Sequence, residues 1–432
     1  MNKILFPFFL FLSVVTAQAQ YVLIPDSNFR HALINKGYAL CFDITQTMLD
    51  TTCSSVLDST TLLIEDSNIV SLQGVQYFKN LITLDCIGNN ISDLPAVPGR
   101  LVQLILDDNS LNSLPALPAS LKNLEIENNY FSALPPLPSA LRVLDIGNNN
   151  FSELPSLPSA LLILSCPGNF IDSFPPLPPH LNSLSCGEQS IRVFPSLPST
   201  LVYFSCVKAN FDSLPVLPDS LKTLDCTINH LTFLPALSHH LQYLDCSHNI
   251  LNTLPDLTAS LNYIDCSYNQ LHDIPALPDS LYSFSCDYNS QLKCLPELKT
   301  IVNLSFDSTA VTCLPDYGNV NNSSPSLNLI PLCTTGNANN CTVYADIRSI
   351  AELPQVSIYP NPTSGKLEVE MQNPISKSLQ ISIMDISGQI LNSSYANASG
   401  KIELDVSALS AGMYFLVMQN EFESMSRKFV KE

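Results

Sequence analysis

Leucine opens a new unit every twenty residues, at Leu81, Leu101, Leu121, Leu141, Leu161, Leu181, Leu201, Leu221, Leu241, Leu261 and Leu281. Each unit follows the template L-x-x-L-x-[CIL]-x-x-N-x-[LIF]-x-x-[LFI]-P-x-L-P-x-S. A fixed period of this length means that one piece of structure is made repeatedly and stacked on itself. The leading x-L-x-C half alternates with period two, as a strand with one buried face does. The L-P-x-L-P-x-S half cannot be helical, because its prolines lack donors and fix φ; extended or polyproline-like backbone suits it. One unit buries too few apolar side chains to offset the ordering of twenty backbones, so it folds only against its neighbours.

Two columns run through the stack. Cys86, Cys166, Cys186, Cys206, Cys226, Cys246, Cys266 and Cys286 share position six with Leu106, Ile126, Ile146 and Phe306 of other units, which marks the slot as apolar core. In-register neighbours on parallel strands hold their Cβ atoms about 5 Å apart, too wide for a disulfide. Unpaired, slowly reacting thiols are therefore expected despite an oxidising route. Position nine is asparagine at Asn89, Asn109, Asn129, Asn149, Asn169, Asn229, Asn249, Asn269 and Asn289, a buried amide expected to bond backbone groups of its own and the adjacent coil. Gln189 and Ala209 break that column, so local irregularity is expected there.

These units resemble the leucine-rich repeat family, whose signature is L-x-x-L-x-L-x-x-N-x-L. The "LPALP" and "LPSLP" portions are similar to the short LPX subtype of secreted effectors from enteric pathogens. A looser unit (Leu62 to Asn80) precedes the regular ones and a degenerate one (Ile301 to Pro315) follows, which places the repeats over residues 59–316. The resemblance implies a mainly β fold: a curved solenoid with a parallel sheet on its concave face and an extended, polyproline-like convex side.

The N-terminus reads as a signal peptide over residues 1–19, with Lys3, an apolar run from Ile4 to Val15 and an Ala17-Gln18-Ala19 cleavage site. No later segment is apolar over the length a transmembrane helix needs, so an exported protein in a disulfide-permissive compartment is expected. Residues 20–58 are predicted to cap the solenoid, with a short helix in "IPDSNFRHALINKGY", and residues 317–354 to form the other cap and a linker. Cys41, Cys53, Cys294, Cys313, Cys333 and Cys341 lie outside the repeat column and are the disulfide candidates. Cys41 and Cys53 flank a short loop, and sequence leaves the overall connectivity open.

From Gln355 the texture changes to short alternating strands, "KLEVEM", "LQISIMD", "KIELDV" and "MYFLVMQ", the pattern of a small sandwich over residues 355–432. Four motifs there resemble the type A C-terminal sorting domain of type IX secretion substrates: "YPNPTSGKL", "MDISGQ", "LSAGMY" and "RKFVK". Carried onto this sequence, the sorting residues are Tyr359, Pro360, Asn361, Pro362, Gly365, Asp385, Gly388, Gly412, Tyr414, Lys428 and Lys431. The resemblance implies an Ig-like β-sandwich, the type IX machinery as a partner, and transport across the outer membrane of a Gram-negative bacterium. The cargo is then secreted, or anchored to polysaccharide at the outer cell surface after removal of this domain.

A formal net charge of −19 disfavours nucleic acid and anionic membranes as partners. Phosphate-binding, dinucleotide-binding, nucleophile-elbow and zinc-protease motifs are all missing, which argues against an enzyme. His230, His239, His240 and His248 cluster in sequence near Cys226 and Cys246, but the repeat register sends the cysteines inward and His239 and His240 to the convex turn, so no metal is assigned. What remains is surface. Alternation puts positions three, five and seven on the concave face and position eight at its edge. The last coils thereby present Asp225, Tyr243, Asp245, His248, Tyr263, Asp265, Tyr268 and Tyr288, with Tyr282 nearby, as a candidate site for a protein or glycan ligand. Three readings stand beside one another: recognition on this face, a spacer whose carboxylates are merely solvated, and Ca²⁺ bridging the file of Asp residues.

Overall fold

The computed structural model describes residues 20–432 apart from 190, 192–193, 317–318, 338, 343–355, 372–377, 386–388, 398–400 and 420–423, so the signal-peptide and linker readings lie outside the described residues. The chain divides into a unit ending at Tyr344 and a second beginning at Ala345, inside the segment expected to hold the cap and linker over residues 317–354.

In the first unit a 14-stranded parallel sheet adds its strands in sequence order, from Thr61–Leu63 to Asn319–Ser324. The stack runs one strand beyond residue 316, because Asn319–Ser324 pairs in parallel with Thr300–Ser305. In the regular coils each strand spans three residues, and neighbours pair exactly one repeat apart, as in Tyr243↔Tyr263 and Asp245↔Asp265. The middle residue of each strand and position six point inward, and Leu244, Cys246, Ile264 and Cys266 are fully buried. Each proline-rich half crosses the convex side without helix or strand and closes in a turn, where the position-one N–H donates to the carbonyl of position eighteen, a proline in most units (Leu121 N to Pro118 O, 3.1 Å) and Ser238 or Thr258 in two.

Three ladders tie coil to coil. The Asn column behaves as expected: Asn249 Nδ2 donates to Cys226 O, Cys246 O and Ser247 O, while its Oδ1 accepts from Leu231 N at 3.0 Å. The serine closing the template, whose role the sequence did not disclose, donates backwards as well, Ser260 Oγ reaching His239 O and Leu241 O. The third ladder is the thiols. All eight position-six cysteines are unpaired and buried, and several donate to the carbonyl of the next coil, as Cys266 does to Ser285 O at 3.3 Å. Burial raises the Cys166 thiol to about 12 and holds the other seven well above the ordinary thiol range.

The interruption at Gln189 and Ala209 has a physical consequence. Gln189 Nε2 still reaches Cys166 O, but its longer side chain carries Oε1 past the donors, leaving that buried oxygen without a partner among the described residues. Phe174, Phe204 and Phe211 gather around Phe194 in these coils and the one before, with ring centroids 5.3–5.6 Å away.

Asp26 caps the helix Ser27–Leu33 by accepting from Asn28 N and Phe29 N, and Cys41 bonds Cys53 in this N-terminal cap. At the other end the disulfides are Cys294–Cys341 and Cys313–Cys333. The second unit contains a three-stranded and a four-stranded antiparallel sheet around Leu367, Val369, Ile381, Leu416 and Phe429.

Candidate ligand-binding face and sorting domain

Parallel pairing in strict register stacks equal positions of successive coils about 4.8 Å apart, so chemically similar side chains become files. Tyr243 and Tyr263 at position three stack with ring centroids 4.4 Å apart and planes 5° from parallel. At position eight His248, Tyr268 and Tyr288 form a second stack, with centroid spacings of 4.1 and 4.2 Å. Tyr282 stands at position two, before its strand and so at the other edge of the face, and is 57% exposed. Burial raises the Tyr243 and Tyr263 hydroxyls above the usual tyrosine range, with the neighbouring Asp carboxylates adding to the shift.

Asp225, Asp245 and Asp265 form the file between these stacks. Each carboxylate accepts the backbone N–H two residues on: Asp225 from Thr227, Asp245 from Ser247 and Asp265 from Ser267. The Asp-x-[Ser/Thr] pattern is thus a local turn in which the acid holds its own loop. Asp245 retains a raised pKa through burial. A more strained acidic group lies on earlier coils. There burial, together with Asp145, Glu125 and Glu127, pushes the Asp107 carboxyl up to about 7, although Asp107 Oδ1 accepts from Glu127 N at 2.6 Å.

Position eight holds a residue that sequence reasoning passed over. Throughout the stack this position is left-handed; it is filled by Gly88, Asp108, Asn128, Asn148 and Gly168, types that tolerate φ > 0, and then by Glu188 and Lys208. Ile228, His248, Tyr268 and Tyr288 occupy the same conformation at φ 53–55°. For a β-branched or bulky side chain that conformation costs about 1 kcal/mol each, of which ring stacking returns a part. Ile228, Tyr268 and Tyr288 are 49%, 43% and 50% exposed. The signal was present as a column that changes from Gly, Asn and Asp, through Glu188 and Lys208, to Ile, His and Tyr. His239 and His240 lie at the convex turn as expected, both bonded to Asp219.

In the second unit the sorting motifs, distant in sequence, converge. Asn361 Oδ1 accepts from Val430 N and its Nδ2 donates to Lys428 O, while Thr363 exchanges backbone bonds with Val430 and Glu432. Cis peptide bonds precede Pro360 and Pro362. The Tyr359 hydroxyl donates to Glu370, and Lys401 Nζ lies 5.4 Å from the ring centroid. Gly365 O accepts from Val406 N, and Gln389 N donates to Asp385 Oδ1. Gly412 pairs with the buried Lys431, and Tyr414 donates to Ser410 O while packing on Phe429. Lys428 is exposed, and Gly388 lies outside the described residues.

Comparison with known proteins agrees with this division. Residues 357–432 match the family model of the secretion system C-terminal sorting domain, and residues 140–162 match the leucine rich repeat model. No curated protein matches the chain. Among solved structures, YopM from Yersinia enterocolitica is similar at 34% identity and TM-score 0.52 over 59% of this chain. The match spans only 61% of that YopM chain. YopM from Yersinia pestis is similar at 25% identity and TM-score 0.54, over 64% of this chain and 89% of that one. The functional domain of InlJ from Listeria monocytogenes, which includes a cysteine ladder, shares the fold at 19% identity and TM-score 0.50, over 96% and 100%. This chain therefore joins a solenoid of leucine-rich repeats to a C-terminal sorting domain of the type IX secretion system.

Proposed function

We propose that this is an exported, non-enzymatic recognition protein that binds a protein or glycan through the open sheet face and adjoining rim of the coils from Asp225 to Tyr288. The repeats suit protein–protein interaction, and the sorting domain directs secretion or display at the cell surface. In this reading type IX export delivers the solenoid across the outer membrane, and the mature protein is either free or held by surface polysaccharide. The observation that carries the proposal is the file Ile228, His248, Tyr268 and Tyr288, bulky and exposed in a conformation that glycine or asparagine adopts at lower cost. Tyrosine and carboxylate side by side also supply contact area and hydrogen bonding with little rotamer entropy to lose.

The experiment is a pair of variants tested for attachment to arrayed extracellular-matrix proteins and glycans. Tyr268→Asn with Tyr288→Asn suits the left-handed backbone, so the fold is expected to keep its melting temperature while attachment falls. Tyr243→Ala, Tyr263→Ala and Asp245→Ala together test the face itself. Unchanged attachment in both variants would sink the assignment. A second reading, a rigid spacer without a specific ligand, is favoured by the turn bonds of Asp225, Asp245 and Asp265, which leave these carboxylates with partners of their own. An array on which nothing binds would support it.

A further inference from the structure

The floor of the sheet changes character after the coil of Tyr263. Position three continues as Ser283, Asn303 and Asn322, and position five as Ser285, Ser305 and Ser324, each trio in strict parallel register. These six small, uncharged side chains line a hollow of about 280 Å³ at the C-terminal end of the face. The Tyr243–Tyr263 rings lie nearly parallel and spaced like the strands, so the second face of Tyr263 is turned toward the coil of Ser283. Tyr263 thus borders the hollow one strand away without lining it.

The hydrogen bonds of the floor show which groups are free for a ligand. Asp287 accepts from Ser305 Oγ at 2.7 and 2.8 Å and from Asp307 N, and Ser324 Oγ bonds Asp307, so the acids are held at the side. Ser285 bonds Ser267 and Asp287. Asn322 Nδ2 donates to Asn303 Oδ1 at 3.1 Å. The Ser283 hydroxyl, the Asn303 amide N–H groups and the Asn322 carbonyl oxygen are then left without a protein partner among the described residues. Hydroxyl and primary amide are the side chains that both donate and accept without charge.

We propose that this hollow is a subsite for one neutral sugar residue of a glycan. A hexose ring matches the set, because its hydroxyls each need a donor and an acceptor, which Ser283, Asn303 and Asn322 offer. The volume lies just below the usual range for small-ligand sites and suits a single ring rather than a peptide strand. The lining side chains at positions three and five are uncharged, and the nearest carboxylates, Asp265 one strand earlier and Asp287 and Asp307 at the side, are engaged by backbone N–H groups or floor serines. The inference rests on the recognition reading above and narrows its ligand class on a different set of residues.

The test is saturation-transfer NMR on the full exported chain with glucose, galactose, mannose, N-acetylglucosamine and their β-linked disaccharides. At least one neutral sugar is expected to receive saturation. Its affinity should fall at least tenfold in Asn303→Asp, which places charge on the floor, and in Ser283→Gln, which fills it; circular dichroism checks the fold of both. Binding of none of these sugars overturns the proposal. Sugar binding that survives both variants but is lost in Tyr268→Asn with Tyr288→Asn also overturns it, while leaving the recognition reading intact.

Discussion

Gln189 offers a direct test of how the asparagine column stabilises the stack. In the coil before it, Asn169 Nδ2 donates to Ile146 O, Cys166 O and Pro167 O, and its Oδ1 accepts from Phe151 N at 3.0 Å. Gln189 keeps the bond to Cys166 O, but its Oε1 is buried and unpartnered among the described residues. Gln189→Asn withdraws the amide by one methylene, bringing its oxygen to where the column elsewhere meets the N–H eighteen residues earlier, here that of Ile171. Relieving a buried orphan acceptor gains about 1–3 kcal/mol, and loss of one buried methylene costs about 1 kcal/mol. The net expectation is a gain of about 0–2 kcal/mol, a rise in melting temperature of up to roughly 4 °C for a unit of this size. Because coils couple mainly to their neighbours, hydrogen exchange is the sharper readout: the Ile171 amide should slow in the variant. The reverse change, Asn229→Gln, should cost a similar amount. If Asn229→Gln destabilises while Gln189→Asn gives neither a higher melting temperature nor slower exchange, the orphaned oxygen is not costing what the hydrogen-bond pattern requires and the reasoning fails.

Three further outcomes are expected. Asp107 titrates near 7 in the fold against an ordinary value of 3.8, so the folded chain holds a proton that the unfolded chain has lost, and its contribution declines as pH rises through that window. With discounting for partial exposure, Asp107→Asn should add about 1–2 kcal/mol at pH 8 and little at pH 4, measured by denaturant melts; equal effects at both would contradict the titration. A thiol reagent should label almost none of the eight ladder cysteines in the folded protein within minutes and all eight in guanidinium, and rapid labelling of the native state would show that the core opens readily. Chelator should leave the melting temperature unchanged, since Asp225, Asp245 and Asp265 are held by their own loops, whereas a fall would restore the Ca²⁺-bridged reading.

Much of the solenoid was legible because its constraints are periodic. Leu244 and Cys246 alternate with Tyr243 and Asp245, and that alternation alone assigns inside and outside. Cys246 reads as packing because aliphatic residues take its place in other units. Less visible were features that depend on backbone sign rather than on side-chain period. The left-handed conformation of position eight is written only in its Gly, Asn and Asp members, so Ile228 passed as an ordinary loop residue. The turn in which Asp245 accepts the Ser247 N–H is not visible in a count of charges along the file, although Asp225 and Asp265 still act on Asp245. The pairing of Cys294 with Cys341, and of Cys313 with Cys333, depends on how the cap folds back, which no local spacing encodes.

The ladder bonds have a consequence for how such a chain changes length. Asn249 and Ser260 satisfy themselves on backbone atoms of the coil before, and every other regular coil presents the same atoms in the same places. A whole unit can therefore be inserted or deleted between two others without orphaning a single polar group, whereas a fragment of a unit cannot. The disulfide-clamped ends stay untouched by such an event, and only the number of rungs between them changes. Natural variants of this chain are then expected to differ by multiples of twenty residues. Each step shifts the tyrosine-bearing face against the N-terminal cap by one strand spacing, so reach is adjusted in fixed increments like notches on a ruler.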